Sequence, residues 1–333
     1  MDEPETYLHP DVQRQLLGIV RDIGADVVFA THSSEIMSEA DPSEIILINK
    51  RRRAGERLKD VVGVQKALDA VGSAQNITLT ALARSRRVLF VEGEDDFQIL
   101  RRFARRLGLQ ELAAGVGIVA LPSGGFSSWQ RVTTLASGIA DALGAPLAIA
   151  AIYDRDYQCS DHIDEVVKTL SRQLKVAHIH ERKEIENYLL NSEALDRVLG
   201  RLLDERGARD GVVVQRRPSV ADMLVEITNP MRGDVLSQLT AKRWEYLRRT
   251  GRDLSDISRE TIKSFDRIWD DLTARLTIVP GKDVLRALRS HVQENFGVSL
   301  TNARIVEGMR RDDIPNDLQE LLRALDGFRK SAP

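Results

Sequence analysis

Val88-Leu89-Phe90-Val91-Glu92-Gly93-Glu94-Asp95-Asp96 joins a compact apolar run to an acidic glycine turn. Four consecutive apolar residues bounded by such a turn read as a strand covered on both faces. Behind the turn, Phe97, Leu100, Phe103, Ala104 and Leu107 recur at core spacing, which predicts a helix from Asp96 to Leu107. The same alternation continues downstream. Gly117 to Leu121 reads as a strand, Ser123-Gly124-Gly125 as a turn, and Ser127 to Leu143 as a helix. Leu147 to Tyr153 is the most hydrophobic strand and runs into Asp154-Arg155-Asp156. A helix from His162 to Leu174 and a strand from Val176 to Ile179 complete the unit. Strands alternating with helices imply an α/β fold with a mostly parallel, covered sheet.

Working outward, residues 1–50 alternate short strands and helices: a helix from Asp11 to Gly24, a buried strand from Asp26 to Ala30, and a strand from Glu44 to Asn49. Residues 51–83 read as a connector with one amphipathic helix around Val64 to Val71. The α/β unit occupies 84–191, a charged helical insertion 192–277, and a C-terminal segment with Lys282 residues 278–333. The 333 residues are 42% hydrophobic and 29% charged, which argues against wholesale disorder. The net charge of −2 supplies no global field toward nucleic acid, so any such binding must come from local basic patches. A single cysteine, Cys159, excludes a disulfide framework within the chain. With no long apolar run and an acidic start, the expected location is cytoplasmic.

Three acidic groups fall at strand ends of the α/β unit, where ligands of parallel sheets sit. They are Glu92 with Asp96, Asp154 with Asp156, and Glu184 with Glu186 in Glu184-Ile185-Glu186-Asn187-Tyr188. Gathered at one edge, these carboxylates would repel one another unless hard cations such as Mg²⁺ neutralise them. Two such ions suit phosphodiester cleavage. Lys282 could set a compact charge against the transition state. Blander roles compete: Asp95 or Asp96 as a helix cap, Glu184 and Glu186 as solvated surface charges, Lys282 as a surface lysine.

Leu89 to Asp96 and Tyr153 to Asp156 resemble the two signatures of Toprim domains. Glu184 to Tyr188 and Pro280-Gly281-Lys282 look like the OLD (overcoming lysogenization defect) nuclease subgroup. The resemblance implies a Rossmann-like Toprim unit with a helical insertion and a metal-dependent nuclease activity. It places Glu92, Asp96, Asp154, Asp156 and one or both of Glu184 and Glu186 around two Mg²⁺ or Mn²⁺ ions. Glu92 and Lys282 then act on the reaction.

Asp2-Glu3-Pro4-Glu5 looks like the Walker B end of an ABC-type ATPase, and Ala30-Thr31-His32-Ser33 like its switch histidine. In that likeness Asp2 holds the nucleotide's Mg²⁺, Glu3 orients water and His32 reaches the γ-phosphate. No G-x-x-x-x-G-K-[ST] occurs, so residues 1–50 resemble the C-terminal part of an ATPase lobe. ATP is expected only if the missing part is supplied, and OLD proteins imply a homodimer through that lobe.

For DNA, two basic patches are candidates: Arg86, Arg87, Arg101, Arg102 and Arg105 around the Glu92 motif, and Lys242 with Arg243 beside aromatics. Contacts would fall on the phosphate backbone, with little sequence specificity. Two rivals remain at this stage: an aspartyl-phosphate phosphatase, and a non-catalytic DNA-binding or regulatory subunit of an ATPase complex.

Overall fold

The computed structural model describes residue 4 and residues 8–22, 27–28, 30–31, 33, 36, 39–40, 44–49, 54–57, 82, 84–211 and 219–332. Asp2, Glu3, His32 and the helix expected around Val64 to Val71 lie outside the described residues.

At the N-terminal end, α1 (Pro10–Asp22) precedes an antiparallel pair, β1 (Ile46–Asn49) and β2 (Ala54–Arg57). The connector expected from residue 51 therefore contributes a strand of its own. Val28, expected in a buried strand, is 87% exposed.

The central sheet comprises β3 (Arg87–Val91), β4 (Val119–Pro122), β5 (Ala148–Tyr153) and β6 (Val176–Ile179), all parallel in the order β4-β3-β5-β6. Side chains alternate across it. Leu89, Val91, Ala150 and Ile152 enter one core, and Val88, Phe90, Ala151 and Tyr153 the other. This double burial explains why β3 and β5 read as unbroken apolar runs.

The connections are α2 (Glu94–Arg106), the single turn α3 (Gln110–Ala113), α4 (Val132–Leu143) and α5 (Ser160–Leu170). The helix expected to begin at Ser127 opens instead as a 3₁₀ segment, Phe126–Arg131, before α4. Then come α6 (Ser192–Asp210), α7 (Val220–Thr228), α8 (Arg232–Leu247), α9 (Leu254–Asp270) and α10 (Leu272–Arg275). The chain closes with α11 (Gly281–Phe296), α12 (Asn302–Gly308) and α13 (Asn316–Phe328). Leu195, Leu224, Phe265, Leu288 and Leu325 all join the core on the Leu89 face. The helical insertion and C-terminal helices thus share one apolar interior with the sheet. No described helix is long and apolar enough to cross a membrane.

Candidate metal centre

The carboxyl ends of β3, β5 and β6 bring the acidic residues together, and each is held by its local backbone. Gly93 caps α2, and the Asp96 carboxylate accepts a hydrogen bond from the Gly93 N–H at 2.9 Å. Asp96 therefore does the work of a helix-terminal cap while facing the acidic group. Asp154 accepts from the Ile185 N–H at 2.9 Å, and Glu92 accepts from the Asp154 N–H at 3.3 Å. Asp156 adopts φ +49°, an uncommon conformation for a side chain with Cβ, and its N–H donates to the Lys183 carbonyl at 2.8 Å. That turn separates Asp154, which is buried, from Asp156, which is half-exposed.

Glu184 and Glu186 are 6% and 9% exposed, so the alternative of solvated surface charges fails. Glu184 begins a 3₁₀ turn, Ile185–Leu189. One of its oxygens accepts from the Lys282 N–H at 2.6 Å, and the other lies 2.7 Å from the Lys183 ammonium. Oxygens of Asp154, Glu184 and Glu186 lie within 4.8 Å of one another, a group that could hold a metal ion. The Glu186 Oε2 is buried without a hydrogen-bond partner. An orphaned buried carboxylate oxygen beside two other hard donors is the chemistry a divalent cation satisfies.

Crowding shows in the proton affinities. Burial pushes the Asp154 carboxyl up to about 9, helped by Asp96, Glu92 and Glu186. Burial likewise raises Glu92 to about 7, with Asp156 and Asp96 adding to it, and Glu186 to about 7 against the pull of Lys282. For Lys282, burial opposes the charge, but Glu186, Asp154, Asp96 and Glu184 outweigh it and raise its pKa. The sign for stability follows. Between about pH 4 and pH 9 these carboxyls keep protons in the folded metal-free chain that they release on unfolding, so their contribution makes stability fall as pH rises, most clearly above about pH 6. The metal-free melting temperature should drop by ~5 °C between about pH 6 and pH 9. The increment from added Mg²⁺ should grow over the same range, because the ligands must ionise to bind. A flat or rising metal-free melting temperature would contradict this reading of the site.

The structure also gives roles to motif residues to which the sequence assigned none. Asn187 is fully buried and donates to the carbonyls of Leu276 and Val279, each at 2.8 Å, while accepting from the Glu184 N–H at 3.0 Å. It fastens the acidic turn to the segment that launches α11, and so fixes Lys282, whose ammonium lies 3.8 Å from Glu186. Close approach requires Gly281. A Cβ there would fall 2.9 Å from both the Asn187 N and its Oδ1. Gly281→Ala should destabilise the protein by about 1–3 kcal/mol and slow any reaction that depends on Lys282. Urea unfolding with a parallel activity assay checks this, and unchanged values in both would refute the fastening role. Lys183, only 11% exposed, ion-pairs Glu184 and reaches within 3.9 Å of Asp156.

The basic patches behave differently from expectation. Arg101 is buried, donates to the Ala113 carbonyl and ion-pairs Glu39, so it is not available to a phosphate. Arg102 donates to the Glu39 carbonyl, and the Arg105 guanidinium lies beside Gly18. These three dock the N-terminal segment on α2. Arg87 bonds the carbonyls of Ser85 and Ser331, whereas Arg86 is exposed. Lys242 pairs with Glu245 at 2.9 Å and Arg243 with Glu260 at 3.2 Å.

Comparison with known proteins adds two likenesses. The family described as "AAA domain, putative AbiEii toxin, Type IV TA system" matches residues 1–38. No curated protein matches. Among solved structures, the chain is similar to the C-terminal region of the Xanthomonas campestris pv. campestris OLD protein. That likeness has 15% identity and a TM-score of 0.36 and covers 74% of this chain and 96% of that one. The N-terminal match fits a partial ATPase lobe, and it precedes the α/β unit that carries the acidic residues.

Proposed function

We propose that this chain is a Mg²⁺- or Mn²⁺-dependent endonuclease that cleaves or nicks DNA phosphodiesters. One observation carries the reading: six carboxylates and Lys282 converge at the carboxyl edge of a parallel sheet, with three of the carboxylates buried within ligand distance of each other. Bound there, one or two divalent ions would activate the attacking water and stabilise the leaving oxygen. Asp154, Glu184 and Glu186 hold the charge, with Asp96 and Asp156 completing the acidic wall. Glu92, anchored by the Asp154 N–H, stands beside the Gly124-Gly125 turn, which leaves room for a phosphate to approach. Lys282 presents its ammonium to the phosphoryl oxygens as negative charge develops. An aspartyl-phosphate mechanism suits the geometry poorly, because Asp154 is buried and committed to the Ile185 N–H. DNA would be gripped through its phosphates; Arg86 is exposed but precedes β3, at the end of that strand away from the acidic residues. The ATPase-like segment would bind ATP and pair two copies only where a phosphate-cradling loop completes it.

Supercoiled plasmid supplies the test. Purified protein should nick or cut it with Mg²⁺ or Mn²⁺, and EDTA should suppress the rate about 100-fold or more. Undiminished cutting in chelator would overturn the metal-dependent reading, and no cutting with either metal would favour a regulatory subunit with an inert acidic pocket.

A further inference from the structure

Among the described residues β6 pairs only with β5, and its other side carries no strand. Helices flank that end on both faces. Ile163 and Val167 of α5 form one wall, and Leu321 and Ala324 of α13 the other. Between them lies a cavity of about 540 Å³ whose floor is β6 itself. Val176, Ala177 and His178 are only partly buried, although they belong to the sheet.

The cavity's volume is of the order that a few residues of extended chain would fill. At the spacings of packed sheets, one strand residue occupies on the order of 160 Å³ (rise, strand separation and layer thickness taken together). The space therefore holds about three residues of extended chain, roughly the length of β6. Its chemistry is lopsided as well. Asp164, Glu181, Asp317 and Glu320 line it against a single base, Arg155. The Arg155 guanidinium is already committed to the carbonyls of Gln158 and Glu181 and to the Ser160 hydroxyl. Asp164, Glu181 and Glu320 form no ion pair within 4.0 Å among the described residues. The histidines add no positive charge: burial lowers His178 to about 4 and holds His180 well below its ordinary value.

We infer that this slot receives an extended, basic peptide segment of a partner protein, which adds a strand to the edge of β6. Main-chain hydrogen bonds to β6 supply affinity, apolar side chains fill the space between α5 and α13, and alternate lysines or arginines meet the acidic rim. The inference rests on the sheet edge and its charge, and is independent of the nuclease reading.

A fluorescein-labelled Lys-Val repeat peptide, titrated into the full chain at low salt by polarisation, provides the probe. Binding in the micromolar range is expected. Ala324→Trp, a change at an exposed helix position, should close the slot and weaken binding about tenfold or more, as should Asp164→Lys combined with Glu320→Lys. A Glu-Val repeat, or a Lys-Val repeat interrupted by proline, should not bind. Asp154→Asn should leave binding unchanged, which separates the slot from the acidic pocket. The inference is overturned if the Lys-Val peptide fails to bind at millimolar concentration, if it ignores Ala324→Trp or tolerates proline, or if Asp154→Asn abolishes binding. A dimer that Ala324→Trp converts to monomer, with no peptide affinity, would overturn it in favour of a second copy of this chain.

Discussion

Asp154→Asn is expected to abolish metal-dependent cleavage, by about 1000-fold or more, while raising the melting temperature of the metal-free protein. Both effects come from one carboxylate. Asp154 is 4% exposed and surrounded by Asp96, Glu92 and Glu186, whose charges add to burial in opposing its ionisation. Asparagine keeps the oxygen that accepts from the Ile185 N–H and removes the ionisable group. Asp154→Ala should differ in a diagnostic way. It also deletes that acceptor, and a stranded buried N–H costs about 1–3 kcal/mol, which offsets the relief of repulsion. Melting curves with and without Mg²⁺, beside plasmid cleavage rates, distinguish the two. If Asp154→Asn cuts DNA at near the parental rate, or if it melts lower without metal, the acidic group is not a metal centre.

The strand ends were legible because they combine two local signals. An apolar run long enough for a strand stops at a carboxylate, and a glycine or helical pattern follows at once. β3 with Glu92 and β5 with Asp154 carry both signals, and each appears where the sequence places it. Glu184 and Glu186 were harder, since acidic residues alternating with Ile185 and Asn187 fit a solvated turn equally well. Their burial comes from the Lys282 N–H and the Asn187 bridge, made by residues about ninety positions later in the chain. No periodicity reports such contacts. The burial of Arg101 in α2 escaped for a related reason. Charge at a helix surface predicts exposure only if nothing covers that surface, and here Glu39 and Gly18 cover it. That β6 ends the sheet among the described residues was invisible too, because strand order follows from packing rather than from any residue of β6 itself.

Lys282→Ala separates the chemical step from metal binding, and it should move the metal-free melting temperature in the opposite direction to Asp154→Asn. The Lys282 backbone N–H, which holds Glu184 at 2.6 Å, survives any side-chain change, so the buried carboxylates keep their positions. Affinity for Mn²⁺, measured calorimetrically, should therefore stay within about threefold of the parent, or tighten slightly as a competing cation is removed. The metal-free protein should melt lower, because the ammonium lies 3.8 Å from Glu186 and is the cation that partly offsets the acidic group. Cleavage at saturating metal should fall by about 10²–10³-fold, since the lost charge faces negative charge that develops only in the transition state. Lys282→Arg should recover the metal-free melting temperature but only part of the rate, because a planar fork does not reproduce a compact point charge. If Lys282→Ala instead loses Mn²⁺ binding and keeps its residual rate once metal is forced on, the lysine is a scaffold for the carboxylates. If neither changes, the half-exposed ammonium contributes nothing beyond its backbone hydrogen bond, and the positive charge used by the reaction must come from Lys183, the other lysine at the acidic wall.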